Sequence, residues 1–169
     1  KNFEEAVCKY FENNHIQWSA GAGNLLSSQI ACLNHLFSIR KDKDLVLKII
    51  QGIDPDFVDV FPLTNDTYQS QYISFEVVAN NNFMNEGKPK RGARCTSIDA
   101  LIIAQRKNGD TCLIPIEWKY TEQEKSNKFE NETRHGRYDE LINKSQYLRS
   151  TDAKSDKTLY KEPYYELMR

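Results

Sequence analysis

The sequence predicts a β-sheet with helices on its flanks, α/β or α+β in class. Three observations carry that reading. Apolar residues recur at helical spacing over about the first 50 positions. Three strand-like runs rich in β-branched and aromatic residues follow between Tyr72 and Tyr120. Helical spacing then returns from about Tyr138.

The first helix opens at Asn2, a good N-cap, with Glu5 three residues on as a capping-box partner. Phe3, Ala6, Val7, Tyr10 and Phe11 form its apolar stripe, and Asn13-Asn14 ends it. Ser19 to Gly23 reads as a loop. A second helix spans about Asn24 to Ile39, where Leu25, Leu26, Ile30, Leu33, Leu36 and Phe37 give the broad apolar face of a helix packed on a sheet. A short third helix starts near Asp42 or Asp44 and stops at Gly52, with Leu45, Val46, Ile49 and Ile50 on its buried side. Asp54-Pro55-Asp56 marks a turn. Phe57 to Leu63 is apolar but interrupted by Pro62, and is not counted among the strands. Tyr72 to Ala79 reads as a strand with Glu76 inside it, an acid that needs a partner.

Thr96–Arg106 and Thr111–Tyr120 read as two strands of one hairpin, joined by Lys107-Asn108-Gly109. The first carries Asp99, and the second carries Glu117 with Lys119 two residues later, on the same side of the strand. Two carboxylates brought together repel each other, so such a pair commonly brackets a divalent cation. The turn tests the idea. A two-residue Asn108-Gly109 turn would pair Lys107 with Asp110 and set Asp99 opposite Trp118, which breaks the site. A three-residue loop with Gly109 left-handed would pair Arg106 with Asp110 and set Asp99 opposite Glu117. A bulge near Pro115 would have the same effect. The expectation is one of these two corrections.

Beyond Thr121 the chain is strongly polar to Gly136, a mobile segment or an exposed helix. A helix from about Tyr138 to Leu148 follows from Leu141, Ile142, Ser145 and Leu148, and Pro163 to Arg169 resembles the first turns of another. No internal repeat or low-complexity tract is present. The expected organisation is a single domain, with N-terminal helices in 1–52, a sheet core in 70–121 and C-terminal helices in 137–169.

An acid, any residue and a lysine is a common triplet, and Glu86-Gly87-Lys88 and Asp152-Ala153-Lys154 also fit it. Only Glu117 ends an apolar strand whose neighbour carries an acid. Ser97-Ile98-Asp99, the strand to Arg106, and Ile116-Glu117-Trp118-Lys119-Tyr120 resemble the PD-(D/E)XK, or restriction-endonuclease-like, phosphodiesterase superfamily. Ser27-Ser28-Gln29 and Thr96-Ser97-Ile98-Asp99 look like a small bacterial restriction-endonuclease branch of it. The likeness spans roughly residues 24–147. It implies an α/β, three-layer core with a central mixed sheet flanked by helices, and a metal-dependent nuclease acting on DNA. It also implies Mg2+ or Mn2+ held by Asp99, Glu117 and the backbone carbonyl of Trp118, with Lys119 positioning or helping to deprotonate the attacking water. Two departures stand out. Ile98 replaces the proline expected before the first acid, and the second helix lacks the acid that some members use, a role then absent or moved to Glu76 or Gln29.

Each further candidate has an ordinary alternative. Glu76 is a third metal ligand or a structural ion pair. Ser28 and Gln29 support the site or simply cap the helix. Lys88, Lys90, Arg91 and Arg94 are a phosphate-binding surface or a solvated loop. Tyr120, Arg137 and Tyr138 contact nucleic acid or pack at the surface. His15, His35 and His135 are isolated, with no Ser/His/Asp or Cys/His arrangement, and glycines are too sparse for a phosphate-cradling loop.

Bulk composition narrows the classes. With 28% charged and 39% apolar residues, the chain has the composition of a globular domain with a real core. No apolar run approaches the roughly 20 residues a bilayer span needs, so no membrane partner is expected. Lys1-Asn2-Phe3-Glu4-Glu5 is unlike a signal peptide, and a chain without an initiator methionine is expected to be trimmed or to omit disordered segments. Cys8, Cys32, Cys95 and Cys112 are too scattered for a zinc site, and Cys8 and Cys32, among apolar neighbours in helical patterns, read as reduced core thiols, which suggests the cytoplasm. The net charge of −1 argues against a general nucleic-acid coat but not against an enzyme with a local basic surface. The main alternatives are a repair exonuclease or junction resolvase of the same fold, and an inactive nucleic-acid-binding module, which a misplaced Asp99 would favour. Cutting both strands often calls for a homodimer, and the sequence leaves the oligomeric state open.

Overall fold

The computed structural model describes residues 2–18, 27–63, 70–78, 96–119 and 132–146. The chain divides into two compact units, one of Lys1–Val78 with Ser97–Glu122 and one of Ala79–Thr96 with Gln123–Arg169.

The first unit begins with α1 (Asn2–Asn13), whose Val7 and Phe11 are buried while Phe3 stays 42% exposed. α2 (Ser28–Leu36) is shorter than the sequence suggests. The hydroxyl of Ser27, rather than Ser28, accepts from the Ile30 amide and caps it, and residues 37–41 form turns after the helix. Residues 24–26 lie outside the described residues. α3 (Lys43–Ile53) is capped by Asp42, whose side chain accepts from the Leu45 amide. Gly52 sits inside this helix instead of ending it. Only Val46 and Ile50 of α3 are buried; Leu45 and Ile49, expected inside, are 42% and 39% exposed.

Four strands are described, one more than expected. They are β1 (Phe57–Phe61), β2 (Ser74–Val77), β3 (Ile98–Arg106) and β4 (Thr111–Ile116). The nine-residue β3 is the spine of the sheet. Its later half pairs with β1, its earlier half with β2, and β4 pairs with it as well. The class is α/β as expected, but the sheet, expected to be mixed, is antiparallel in every pairing among the described residues. The sequence discounts this run for Pro62, but Pro62 falls just beyond β1, whose register shifts between Phe57 and Asp59. This bulge puts the buried Phe57 and Val60 three residues apart rather than two. Both hairpin strands are shorter than their apolar runs, starting at Ile98 and ending at Ile116.

The core lies between the sheet and the three helices. Ala100, Ile102 and Ala104, alternate residues of β3, are buried with Phe75, Val60, Val46, Ile50, Leu33 and Phe37. Tyr10, Phe37 and Phe75 meet with ring centroids 5.6–5.9 Å apart. The Tyr10 hydroxyl also accepts from the Phe75 amide at 3.0 Å, tying α1 to β2. Among the described residues, Cys8, Cys32 and Cys112 are free thiols.

In the second unit α4 (Glu132–Lys144) starts earlier and ends earlier than the apolar pattern suggested. Tyr138 and Ile142 are buried, and His135 pairs with Asp139 one turn on at 3.1 Å. The expected helix near 163–169 lies outside the described residues. Among the described residues no helix is long and apolar enough to cross a membrane.

Candidate active site

The hairpin loop decides the register. The Arg106 amide donates to the Asp110 carbonyl at 2.9 Å, the Gly109 amide donates to Arg106, and Gly109 is left-handed at φ +91°. This is the three-residue loop. The ladder then runs without a bulge from Gln105↔Thr111 through Leu101↔Pro115 to Ala100↔Ile116. Pro115 takes its place in that ladder without a bulge, as proline can on an edge strand, and no strand is described beyond β4. The described ladder ends at Ala100↔Ile116, and the same register carried one step past β4 would bring Glu117 to Asp99. On the other side of β3, Phe75↔Ala100 and Val77↔Ile98 bracket Glu76 opposite Asp99. Glu76 lies in β2 and Asp99 in the neighbouring β3, and Glu117 directly follows β4 on the other side of β3.

Asp99 and Glu76 are half-buried, whereas Glu117 is exposed. The Trp118 backbone N–H donates to Asp99 Oδ2 at 2.7 Å. Burial above all, then the charges of Glu117 and Glu76, hold the Asp99 carboxyl up at about 6, against the opposing pull of that N–H and of Lys119. Glu117 and Lys119 are about half exposed, and Lys119 Nζ lies 3.4 Å from Glu117 Oε1. The Trp118 ring packs on the core and stacks at 5.0 Å on His35 of α2, whose Nδ1 meets the Ala31 carbonyl at 2.7 Å. The residue between the acid and the lysine thus anchors both to the helical layer.

Glu76 departs from regular strand geometry. Its backbone is left-handed, φ +50°, and Phe75 and Glu76, adjacent in sequence, both line one cleft with Gln29, Cys32, Leu33 and Asp99. Glu76 Oε1 accepts from Gln29 Nε2 at 2.7 Å, and Oε2 accepts from Ser97 Oγ at 2.8 Å. The Cys32 thiol is pushed up to about 12, by burial first and then by Asp99, Glu76 and Glu117, so it stays protonated.

The geometry brings Asp99, Glu117, Lys119, Trp118, Glu76 and Gln29 to one end of the sheet. Ser28 stands beside the cap as the first residue of α2. Lys88, Lys90, Arg91, Arg94 and Tyr120 lie outside the described residues. Among the described residues no three His, Cys, Asp or Glu donors stand close enough to hold a metal together. A cation there would rely on two carboxylates plus carbonyl, water or phosphate oxygens, a donor set that suits Mg2+. A half-buried carboxylate facing like charges is also the setting that a cation relieves. Ser97 is the residue that sequence reasoning missed. Its signal is spacing, since it precedes Asp99 by two in an extended run.

A family model described as "REase-ARP: Restriction Endonuclease associating with ARP" matches residues 1–169. The chain belongs to this REase-ARP family. No curated protein and no solved structure matches it.

Proposed function

We propose that this REase-ARP chain is a metal-dependent nuclease of the PD-(D/E)XK type that hydrolyses DNA phosphodiester bonds. The observation that supports the reading is the hairpin register, unbroken to Ala100↔Ile116, beyond which Asp99 and Glu117 are the next residues and Lys119 follows two further on. Asp99 and Glu117, with the Trp118 carbonyl, would hold Mg2+ or Mn2+. When bound, the cation supplies Lewis-acid stabilisation of charge on the scissile phosphate. Lys119 orients the attacking water and offsets the negative charge that grows on the phosphoryl oxygens. The water oxygen bonds to phosphorus as the bond to the leaving sugar oxygen breaks. The Trp118 N–H holds Asp99 in one orientation throughout.

DNA as substrate and a cytoplasmic setting belong to this proposal, as does a homodimer to cut both strands. Association with ARP, named in the family's description, joins them. That register weighs against the inactive-module alternative. The test compares Mg2+-dependent degradation of plasmid and linear DNA by wild type and Lys119→Ala. Wild type should cut at least one form and the variant should not. Equal activity of the two proteins, or no cutting of any DNA form, removes the proposal.

A further inference from the structure

We infer that Glu76 is a positioning residue rather than a metal ligand, and that Gln29, Glu76 and Ser97 form a clamp that sets the Asp99 carboxylate. The inference rests on the reading of Asp99 and Glu117 as cation ligands. Both Glu76 oxygens accept hydrogen bonds, Oε1 from Gln29 at 2.7 Å and Oε2 from Ser97 at 2.8 Å. Charge-assisted bonds of this length are among the stronger ones in a protein. The donors come from different parts of the fold, one from the first turn of α2 and the other from the residue just before β3.

Three further observations agree. The left-handed backbone at Glu76 is uncommon for a residue other than glycine or asparagine, and such strain persists where the surroundings over-determine it. Glu76 and Gln29 line the same cleft as Asp99, so the clamp stands beside the carboxylate it is to set. Ser97 stands two residues before Asp99, so the clamp fixes the approach of the chain to the ligand. Supporting contacts of this kind orient ligands, and their loss typically weakens metal affinity 10–100-fold.

The test is Mn2+ affinity of the full chain, measured by calorimetry. Ser97→Ala and Gln29→Ala should each weaken binding about tenfold. Neither should add anything when combined with Glu76→Gly, since both act through the same carboxylate. Glycine is used there because it accepts the left-handed backbone, so the chain folds without the side chain. Glu76→Gln still accepts from Gln29 and can donate to Ser97, and should stay within about threefold of wild type. Two results overturn the clamp: a Ser97→Ala variant that melts lower but binds Mn2+ as wild type does, or a Glu76→Gln variant that loses binding as fully as Asp99→Asn. Failure of wild type itself to bind Mn2+ removes the cation reading, and the clamp with it. Wild-type binding with silent clamp variants strikes at the clamp alone.

Discussion

Lys119 and Asp99 answer to different experiments because their surroundings differ. Lys119 is half exposed and its ion pair with Glu117 is of surface type, so its removal should change stability little. Its proposed work is done on charge that appears only during reaction. Lys119→Ala should therefore lower kcat by about 10²–10³-fold with an unchanged melting temperature, read by cleavage assay and thermal denaturation in parallel. Asp99 behaves in the opposite way in the metal-free chain. Its folded carboxyl titrates at about 6, above its unfolded value near 4, so the folded state keeps a proton that the unfolded chain has released. Stability then falls as pH rises from about 4 to about 6, and the full cost is present above that window. Asp99→Asn should remove the slope. With allowance for solvent screening of a partly buried group, it should raise the metal-free stability at pH 7 by on the order of 1 kcal/mol. Urea unfolding at pH 4.5 and 7.5 checks this; an unchanged slope would show that Asp99 is not strained by burial and its neighbours.

At the scale of elements, the hairpin loop and α3 each contain a glycine in open space, with opposite expected effects. A Cβ at Gly109 or at Gly52 meets no atom within 4 Å, so neither substitution is decided by packing. Gly109 is left-handed, and Gly109→Ala should destabilise by about 1 kcal/mol or more through backbone strain alone. Gly52 is helical, and Gly52→Ala should stabilise by about 0.5–1 kcal/mol by restricting the unfolded chain. Melting temperatures moving in opposite directions would bear this out. The same local chemistry explains what could be read in advance. The Lys107-Asn108-Gly109 loop limits the register to a few alternatives in sequence, and the Arg106–Asp110 hydrogen bond selects the three-residue loop among them. The bulge in β1 leaves no such mark, and Pro62 disguises a strand that ends at Phe61. α3 has apolar residues on two faces, and the sequence does not say that Val46 and Ile50 turn inward while Leu45 and Ile49 do not. The left-handed backbone of Glu76 falls on a residue type that does not advertise it, so its bonds to Gln29 and Ser97 were out of reach.

At the scale of the whole molecule, the electrostatics set a problem that the proposed function must solve. The chain carries a net charge of −1, and the candidate site adds a group of carboxylates that repels a phosphate backbone when no cation is present. Affinity for DNA must then come from a local positive surface rather than from the protein's overall field. Lys88, Lys90, Arg91 and Arg94 are the densest cationic run near the site in sequence, and they fall in the segment between β2 and β3. Each phosphate that such a residue neutralises contributes about 0.9 to the slope of log affinity against log salt for duplex DNA. Replacing all four by alanine should reduce that slope by about 3 to 4, weaken binding similarly for unrelated sequences, and leave Mn2+ affinity at Asp99 and Glu117 unchanged. The measurement is duplex binding in chelator-containing buffer across a salt series, beside Mn2+ calorimetry. An unchanged slope would assign these four residues to an ordinary solvated loop and place the DNA-binding surface elsewhere. A lost Mn2+ affinity would instead show that the substitutions disturb the site itself.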